Sequence, residues 1–318
     1  MAAEICSEYH NLIIDGVIQP DGGQRRRLLI AVVYLGISVI FLPICFFDLT
    51  VFCSRSCIKQ SCYKLLIITT ALDILNLVNS ALVPGILSLL NVTPCNGGGW
   101  SLYFGFYHIV IWTAYCSASE ILAINRVMIF AKPDWAAYLY DGKRCWLWTI
   151  VIVAYVLGCF LWMPYARYVY DTSAGIIYDW KFNPMHVFNN FFKMGFLTSA
   201  YSIMLLLILK RFRHRNIHLS EMTQIKISLL TLATAVLADI GAVGYIVAMY
   251  LPKNSALQPF TGVIAQLCWI SLHAGTGLIY LLFNQTVYDH FRRALRRKHK
   301  TIFVAIVFPN HRTQSTPH

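Results

Sequence analysis

The run LLIAVVYLGISVIFLPICFFDLTVF, residues 28–52, decides the fold class because it is long, apolar and almost free of charge. About 20 apolar residues in an α-helix are needed to cross a hydrocarbon core of roughly 30 Å. Within that core the backbone must satisfy its own hydrogen bonds, so only helices and closed barrels can span it. The run therefore predicts a transmembrane helix.

Six further runs of this kind follow along the chain. With the first they are Leu28–Phe52, Tyr63–Leu90, Trp100–Ala131, Trp146–Tyr170, His186–Leu209, Ile225–Leu251 and Phe260–Phe283. The connections between them are too short for a separate soluble domain. We predict an all-α protein in which residues 28–283 form a membrane-embedded bundle of seven transmembrane helices, called spans one to seven.

The composition supports a membrane protein. Of the 318 residues, 58% are hydrophobic and 13% are charged, whereas a soluble domain carries about a quarter charged residues. The net charge of +12 could point to nucleic acid, but the basic residues cluster between the apolar runs, as in cytoplasmic loops. No nucleic-acid partner is expected.

The orientation follows from the lysines and arginines. Nineteen of them fall on one side of the predicted bundle and seven on the other, and the richer side is expected to be cytoplasmic. Residues 1–27 then form an extracellular N-terminal segment and the C-terminus lies in the cytoplasm. Arg25, Arg26 and Arg27 are a local exception to this rule.

A basic segment follows span seven. Val287, Phe291 and Leu295 recur every four residues, and arginines and lysines fill the other faces. This pattern is typical of an amphipathic helix on an anionic membrane surface. We predict such a helix over residues 284–300, with membrane lipid as its partner, and a cytoplasmic tail over residues 301–318. The alternative is a solvated basic tail.

Charged side chains fall within the predicted spans, where a charge is costly and is therefore a functional candidate. Among the charged residues of the spans, the four that stand out are Asp73 in span two, Glu120 and Arg126 in span three, and Asp239 in span six. Asp73, which shares a helix face with Asn76, either forms a structural hydrogen bond or takes part in a switch. Glu120 needs a partner or a proton.

The other two charged residues, Arg126 and Asp239, also suggest specific roles. Arg126 ends span three, where it can extend to the cytoplasmic interface or act as a latch that opens when helices separate. Asp239 lies near Gly241 and Gly244, small residues that favour a close contact between helices.

Several short motifs carry a resemblance to a known family. They are Ser61–Leu65, Leu72–Ile74, Ile121–Arg126, Phe182–Pro184 and Ile279–Asn284, in this order and spacing. Together with the seven spans, they make the chain resemble the nematode serpentine chemoreceptors of class T, which are G protein-coupled receptors. The resemblance implies a GPCR-like fold, a small environmental or pheromone-like ligand and a heterotrimeric G protein. It also implies the plasma or ciliary membrane of a sensory cell, with no catalysis, cofactor or metal.

The resemblance assigns roles to four residues as a switch. Arg126 resembles the arginine of the Asp-Arg-Tyr motif, which holds span three to span six at rest, although Asn125 replaces the acid. Asp73 resembles the span-two aspartate that binds sodium in the wider class. Tyr280 resembles the tyrosine of the Asn-Pro-x-x-Tyr motif, and Asn284 would then cap the following helix.

The ligand site is expected between the outer halves of spans three, five, six and seven, where helix bundles form pockets. Aromatic residues also favour membrane interfaces for other reasons, and a lysine here could pair with an acidic ligand or extend outward. The candidates are Tyr107, His108, Trp112, Lys193, Tyr245, Trp269 and His273.

Two covalent features are also expected at the outer face. The usual disulfide to the second outer loop is absent because no cysteine lies between Arg167 and His186. We hypothesise a disulfide between Cys6 and Cys95 instead. Asn91 opens the sequence Asn-Val-Thr, which predicts a glycosylation site.

Three other classes of membrane protein are alternatives to a receptor. A transporter or channel is favoured by Pro84-Gly85 and Gly275–Gly277, which could mark broken helices, but no internal repeat is visible. A retinal protein is excluded because residues 260–283 contain no lysine for a Schiff base. An enzyme is disfavoured because no catalytic motif is present.

Overall fold

The computed structural model describes residues 23–93, 95, 96, 100–162, 168–172, 174–179, 184–214, 219–249, 251, 255 and 257–307. Its long helices follow the predicted order of spans. Span one is Gly23–Phe52, span two Ser61–Leu90, span three Trp100–Ala131, span four Leu147–Trp162, span five Pro184–His214, span six Leu219–Met249 and span seven Thr261–Phe283. A short helix, Pro133–Tyr140, and a 3-10 turn, Gly142–Trp146, connect spans three and four.

Six of these helices are long and apolar enough to cross a membrane; span three is the seventh and differs in composition. It is 32 residues long but carries several polar side chains, including Glu120, Asn125 and Arg126. Span three packs against spans two, four and five and against the β-hairpin described below. Its polar residues therefore meet protein rather than lipid, which makes their cost tolerable.

The outer surface of the bundle is apolar. Val39 of span one is 72% exposed, Leu161 of span four 86% and Phe283 of span seven 71%. Apolar surface as extensive as this is rare on soluble monomers. It fits a bundle whose solvent is the hydrocarbon core of a membrane.

Span two contains an irregular turn just before Pro84. The α-helix Ser61–Leu77 continues as a π-helical turn, Val78–Leu82, and then as the α-helix Val83–Leu90. Proline lacks an N–H and disturbs the carbonyl four residues earlier, here that of Ser80. That carbonyl accepts a hydrogen bond of 2.8 Å from Nε2 of Gln266 in span seven. The carbonyl that the proline leaves without its helical partner therefore finds a hydrogen-bond donor within the bundle.

Span four is shorter than predicted. The predicted run Trp146–Tyr170 was wrong at its end, because the helix ends at Trp162 and Tyr168–Asp171 is a β-strand. This strand, β1, pairs antiparallel with β2, Ile176–Asp179, and Tyr168 lies opposite Asp179. Aromatic and β-branched residues suit strands and buried helices alike, so the apolar pattern does not separate the two.

The β-hairpin formed by β1 and β2 covers one end of the bundle, called here the hairpin end. Tyr34 of span one donates a hydrogen bond of 2.6 Å to the carbonyl of Gly175, and the backbone N–H of Ile177 donates one of 3.3 Å to Oε1 of Gln266. The hydroxyls of Ser88 and Tyr170 lie 2.7 Å apart. Burial raises the pKa of the Tyr170 phenol, so it remains protonated for this hydrogen bond.

Two glycines allow the hairpin to approach the helices. A Cβ at Gly105 of span three would lie 1.8 Å from the carbonyl oxygen of Tyr168, and one at Gly262 would lie 2.4 Å from that of Ala174. Both distances are impossible for a real side chain. The hairpin is thus held against spans one, two, three and seven.

The helix after span seven forms as predicted but is longer. It begins at Gln285 and ends at Val307, so seven residues of the predicted tail are helical. Asn284 caps it, because its Oδ1 accepts hydrogen bonds of 3.1 Å and 3.4 Å from the N–H groups of Thr286 and Val287. The cap predicted at Asn284 is confirmed.

Arg26, part of the basic exception before span one, contacts span seven. Its guanidinium lies 5.6 Å from the centre of the Phe260 ring and also contacts the carbonyl of Pro259. One of the three positive charges of this segment therefore interacts with protein groups just before span seven.

Candidate functional site

A cavity lies between spans three, five, six and seven, in the half of the bundle nearer the hairpin. It contains about 590 Å³ of empty space, part of it open to the surroundings. Four of the seven predicted ligand residues line it: Trp112, Lys193, Tyr245 and Trp269. The other lining residues are Asn190, Met194, Ala238, Asp239, Gly241, Ala242, Ile246, Cys268 and Leu272.

Lys193 of span five places a cation in this cavity. Its side chain is 5% exposed, and its Nζ lies 4.3 Å from the centre of the Trp112 ring and 4.4 Å from that of Tyr115. Ammonium groups at such distances are attracted by the negative faces of aromatic rings. Within the described part of the chain, Lys193 forms no salt bridge.

Aromatic rings form one wall of the cavity, next to Lys193. The rings of Trp112 and Trp269 are 4.2 Å apart, and Trp269 also contacts Tyr245 at 6.3 Å and His108 at 5.2 Å. His108 is thus behind the wall rather than in the cavity lining. Tyr107, the remaining candidate on span three, is 43% exposed on the outside of the bundle and does not line the cavity.

A buried acid–histidine pair lies beneath the aromatic wall. Nδ1 of His273 in span seven is 2.7 Å from Oδ1 of Asp73 in span two, and both side chains are buried. The His273 ring contacts the Tyr115 ring at 4.9 Å and the Trp112 ring at 6.1 Å. The structure therefore joins a predicted ligand residue, His273, to a predicted switch residue, Asp73.

Asp48 of span one is a buried acid that the sequence analysis overlooked. It is fully buried, and neither carboxylate oxygen has a hydrogen-bond partner among the described residues. Gly277 of span seven lies beside it: a Cβ there would be 3.5 Å from Oδ2 of Asp48, an ordinary contact, but only 2.6 Å from Sγ of Cys45. The sequence could have identified Asp48 as a functional candidate, because it lies inside a predicted span and a charge there is costly.

The two remaining acidic candidates of the sequence analysis, Asp239 and Glu120, have different surroundings. Asp239 faces span five, where its Oδ2 accepts a hydrogen bond of 2.9 Å from Thr198. The neighbouring Gly241 faces span seven instead, since a Cβ there would lie 3.0 Å from the carbonyl oxygen of Cys268. Glu120 is half-buried, and its Oε1 has no hydrogen-bond partner within the described residues.

Arg126 joins spans three and six at the other end of the bundle, called here the Arg126 end. Its side chain is fully buried. Its Nη1 donates a hydrogen bond of 3.2 Å to Oε1 of Gln224 in span six, and its Nη2 contacts Oδ1 of Asn125. Arg126 is therefore held inside the bundle and does not extend to an interface. Gln224 gave no signal in the sequence, because a glutamine near the start of a span is unremarkable.

A second arginine strengthens the Arg126 end. Nη1 of Arg211 in span five forms a salt bridge of 3.1 Å with Glu221 in span six. Its Nη2 donates a hydrogen bond of 3.1 Å to the carbonyl of Phe130 in span three. Arg211 thus ties together spans three, five and six, which are three of the four spans around the cavity, at the opposite end.

A second, smaller cavity lies between the acid–histidine pair and the Arg126 end. Polar and aromatic side chains from spans two, three, five, six and seven line it, among them Asp73, Tyr115, Tyr201, Thr231 and Tyr280. The predicted switch residues Asp73 and Tyr280 thus share this space. Among the described residues, no group of three or more His, Cys, Asp or Glu is placed to hold a metal ion.

The sequence profile described as "Serpentine type 7TM GPCR chemoreceptor Srt" matches residues 15–302. The chain belongs to the Srt family of serpentine chemoreceptors. Squid rhodopsin has the same fold: its crystal structure superposes with a TM-score of 0.67 over 87% of this chain and 88% of that chain, at 10% sequence identity. No curated protein sequence matches the chain significantly.

Membership of the Srt family confirms the resemblance inferred from the short motifs. It supports a receptor-type, multi-pass membrane protein, and it supports seven spans although span three is less apolar than the others. The rhodopsin fold at 10% identity shows the architecture alone.

The predicted covalent features of this Srt-family protein lie at the hairpin end. Cys95 is disulfide-bonded, but Cys6 lies outside the described residues, so the Cys6–Cys95 pairing stays a prediction. Asn91 ends span two in the left-handed conformation, with φ 53°. Its side chain is half-buried, and its glycosylation also stays a prediction.

Proposed function

We propose that the chain is a chemosensory G protein-coupled receptor. A small environmental or pheromone-like ligand binds in the cavity, and the Arg126 end then activates a heterotrimeric G protein. The proposal places the N-terminus and the hairpin end outside a sensory cell and the Arg126 end in its cytoplasm. The distribution of lysine and arginine supports this orientation.

One observation carries the proposal: a buried arginine joins spans three and six at one end of a bundle whose other half holds a cavity between the same spans. Trp112 of the cavity and Arg126 are 14 residues apart on span three, or about 21 Å at 1.5 Å per residue. A rigid helix can carry a displacement over that distance.

The ligand acts by favouring an arrangement in which the Arg126 ends of spans three and six separate. It can shift this equilibrium only by its differential affinity for the two arrangements. Separation breaks the hydrogen bond of Arg126 with Gln224. It also breaks one of the two contacts of Arg211, which bridges Phe130 of span three and Glu221 of span six. Arg126 and the basic loop between spans five and six are then available to a G protein.

A ligand screen tests the proposal. Cells that express the chain are exposed to mixtures of small molecules, and nucleotide exchange on the G protein is measured. We expect an active mixture to lose its effect on Arg126→Ala, because this variant removes the group proposed to face the G protein. Full activation of Arg126→Ala at normal surface expression would count against the mechanism.

Asn125→Asp tests the latch separately. We expect it to lower the basal activity, because an aspartate beside Arg126 adds a negative charge to the contact that the neutral Asn125 amide now makes with the guanidinium. Basal nucleotide exchange in the absence of ligand is the measurement. Asn125→Ala is the matched control, and it should not lower the basal activity. An unchanged or raised activity of Asn125→Asp would show that this contact does not restrain the resting state.

A further inference from the structure

We propose that the cavity takes an amphipathic organic acid, whose acid group binds Lys193 and whose apolar body lies along Trp112, Trp269 and Tyr245 toward the gap between spans five and six. This inference rests on the proposed function in one respect, namely that the cavity is the ligand site. It adds the chemical class of the ligand and its orientation.

The acid group is inferred from the state of Lys193. An ammonium has three N–H donors and no acceptor, and a buried one needs partners because its removal from water is costly. The faces of Trp112 and Tyr115 attract the charge but offer no lone pairs. A carboxylate, sulfonate or phosphate group in the cavity supplies the acceptors that the ammonium lacks.

Two nearby carboxylates of the protein each have one oxygen in contact with another side chain. Oδ1 of Asp73 is paired with His273, and Oδ2 of Asp239 accepts the hydrogen bond from Thr198. Neither forms a salt bridge with Lys193 in the described structure. Glu120, whose Oε1 lacks a hydrogen-bond partner among the described residues, is the internal competitor, and its replacement therefore belongs in the test.

The apolar body is inferred from the walls of the cavity. Its lining is mostly aromatic and aliphatic, and burial of apolar surface there is favourable by about 25 cal/mol per Å². A purely polar acid would leave this surface unfilled. The ligand therefore needs an apolar part several carbons long beside its acid group.

The orientation is inferred from what covers the cavity. The hairpin contacts spans one, two, three and seven at the hairpin end. Between spans five and six, by contrast, the bond from Thr198 to Asp239 lies on the exposed side beside the cavity. Phe191, two helical turns before Thr198, and Ile240, next to Asp239, are 55% and 63% exposed. These apolar exposed residues favour a gap that faces the hydrocarbon of the bilayer. An amphipathic molecule dissolved in the bilayer can direct its apolar end to this gap.

Direct binding to the purified receptor in lipid nanodiscs tests the proposal without any G protein. The probes are decanoic acid, decan-1-ol and decylamine, which share a chain and differ in the polar group. Binding is followed through tryptophan fluorescence, since Trp112 and Trp269 line the cavity. The double variant Trp112→Phe/Trp269→Phe gives the background from partition into the lipid.

We expect the acid to bind more tightly than the alcohol and the amine. Lys193→Met should weaken binding of the acid by about tenfold or more, as when a charge-assisted hydrogen bond in a dry site is lost, and Lys193→Arg should retain most of it. Glu120→Gln should not weaken binding of the acid. Lys226→Met, at an exposed lysine outside the cavity, is the matched control and should bind like the wild type. Thermal unfolding confirms that each variant is folded.

Three results would overturn the ligand class: a preference for the amine, equal binding of all three probes, or saturable binding of none. A weakening of acid binding by Glu120→Gln as large as that by Lys193→Met would overturn the role of Lys193 as the direct partner. The proposed function fails on a different result, namely that no mixture of any chemical class promotes nucleotide exchange in the screen.

Discussion

Replacing Gly105 with alanine is expected to displace the hairpin and destabilise the receptor strongly. In most helices this change stabilises by about 1 kcal/mol, because glycine is the more flexible residue. Here the new Cβ would lie 1.8 Å from the carbonyl oxygen of Tyr168 and 2.5 Å from its carbon. Both are backbone atoms, which cannot rotate away. We expect a net loss of about 2 kcal/mol or more, the upper range for overpacking, measured as a lower unfolding temperature and lower surface expression.

Gly158→Ala in span four is the matched control. Nothing lies within 4 Å of a Cβ at Gly158, so the usual gain from alanine should appear there or the change should be neutral. Gly36 and Gly195 offer the same control in spans one and five. If Gly105→Ala is as stable as Gly158→Ala, the hairpin does not pack on span three as described.

The pair of Asp73 and His273 should give the largest coupling energy in the bundle. Removing one partner of a buried hydrogen bond leaves the other polar group unsatisfied, which costs about 1–3 kcal/mol. Asp73→Leu and His273→Leu should each approach this loss. The double variant should lose much less than the sum, since it removes both polar groups from the apolar interior. The free energy of unfolding in mixed micelles provides the measurement.

A control cycle uses a histidine far from Asp73. His290 lies on the helix after span seven, where Nδ1 contacts the carbonyl of Thr286 at 2.8 Å. The effects of Asp73→Leu and His290→Leu should add, as they do for distant sites. If Asp73 and His273 also prove additive, the short distance between them carries no energetic coupling.

The architecture was largely predictable from the sequence because the bilayer imposes a single solution on long apolar runs. The lengths and order of the spans follow from that constraint. The end of span four did not, since the apolar run continues past Trp162 into Tyr168–Asp171. Hydropathy reports whether a segment is buried but not whether its backbone is helical or extended. A strand buried in the hairpin and a helix buried in lipid therefore have the same apolar sequence pattern.

The site was predictable in part for a similar reason. Lysine and aromatic residues in the outer halves of the spans indicated the cavity, and Trp112, Lys193, Tyr245 and Trp269 do line it. Tyr107, five residues before Trp112, lies on the outside, because each residue turns about 100° around a helix. Which face of span three points inward depends on contacts with other helices. Those contacts, like that of Gln224 with Arg126, are not encoded in local spacing.

The π-helical turn at Val78–Leu82 has a consequence for mutational scans of span two. An inserted residue advances the helix by about 100°, so side chains before and after the turn follow two separate phases. A single helical wheel drawn over the whole span assigns one of its halves to the wrong neighbours. Residues near Asp73 and residues near Ser88 should each be read on a wheel of their own. Deleting one residue from the turn would rotate Ser88 away from Tyr170, even though no contact residue had been replaced.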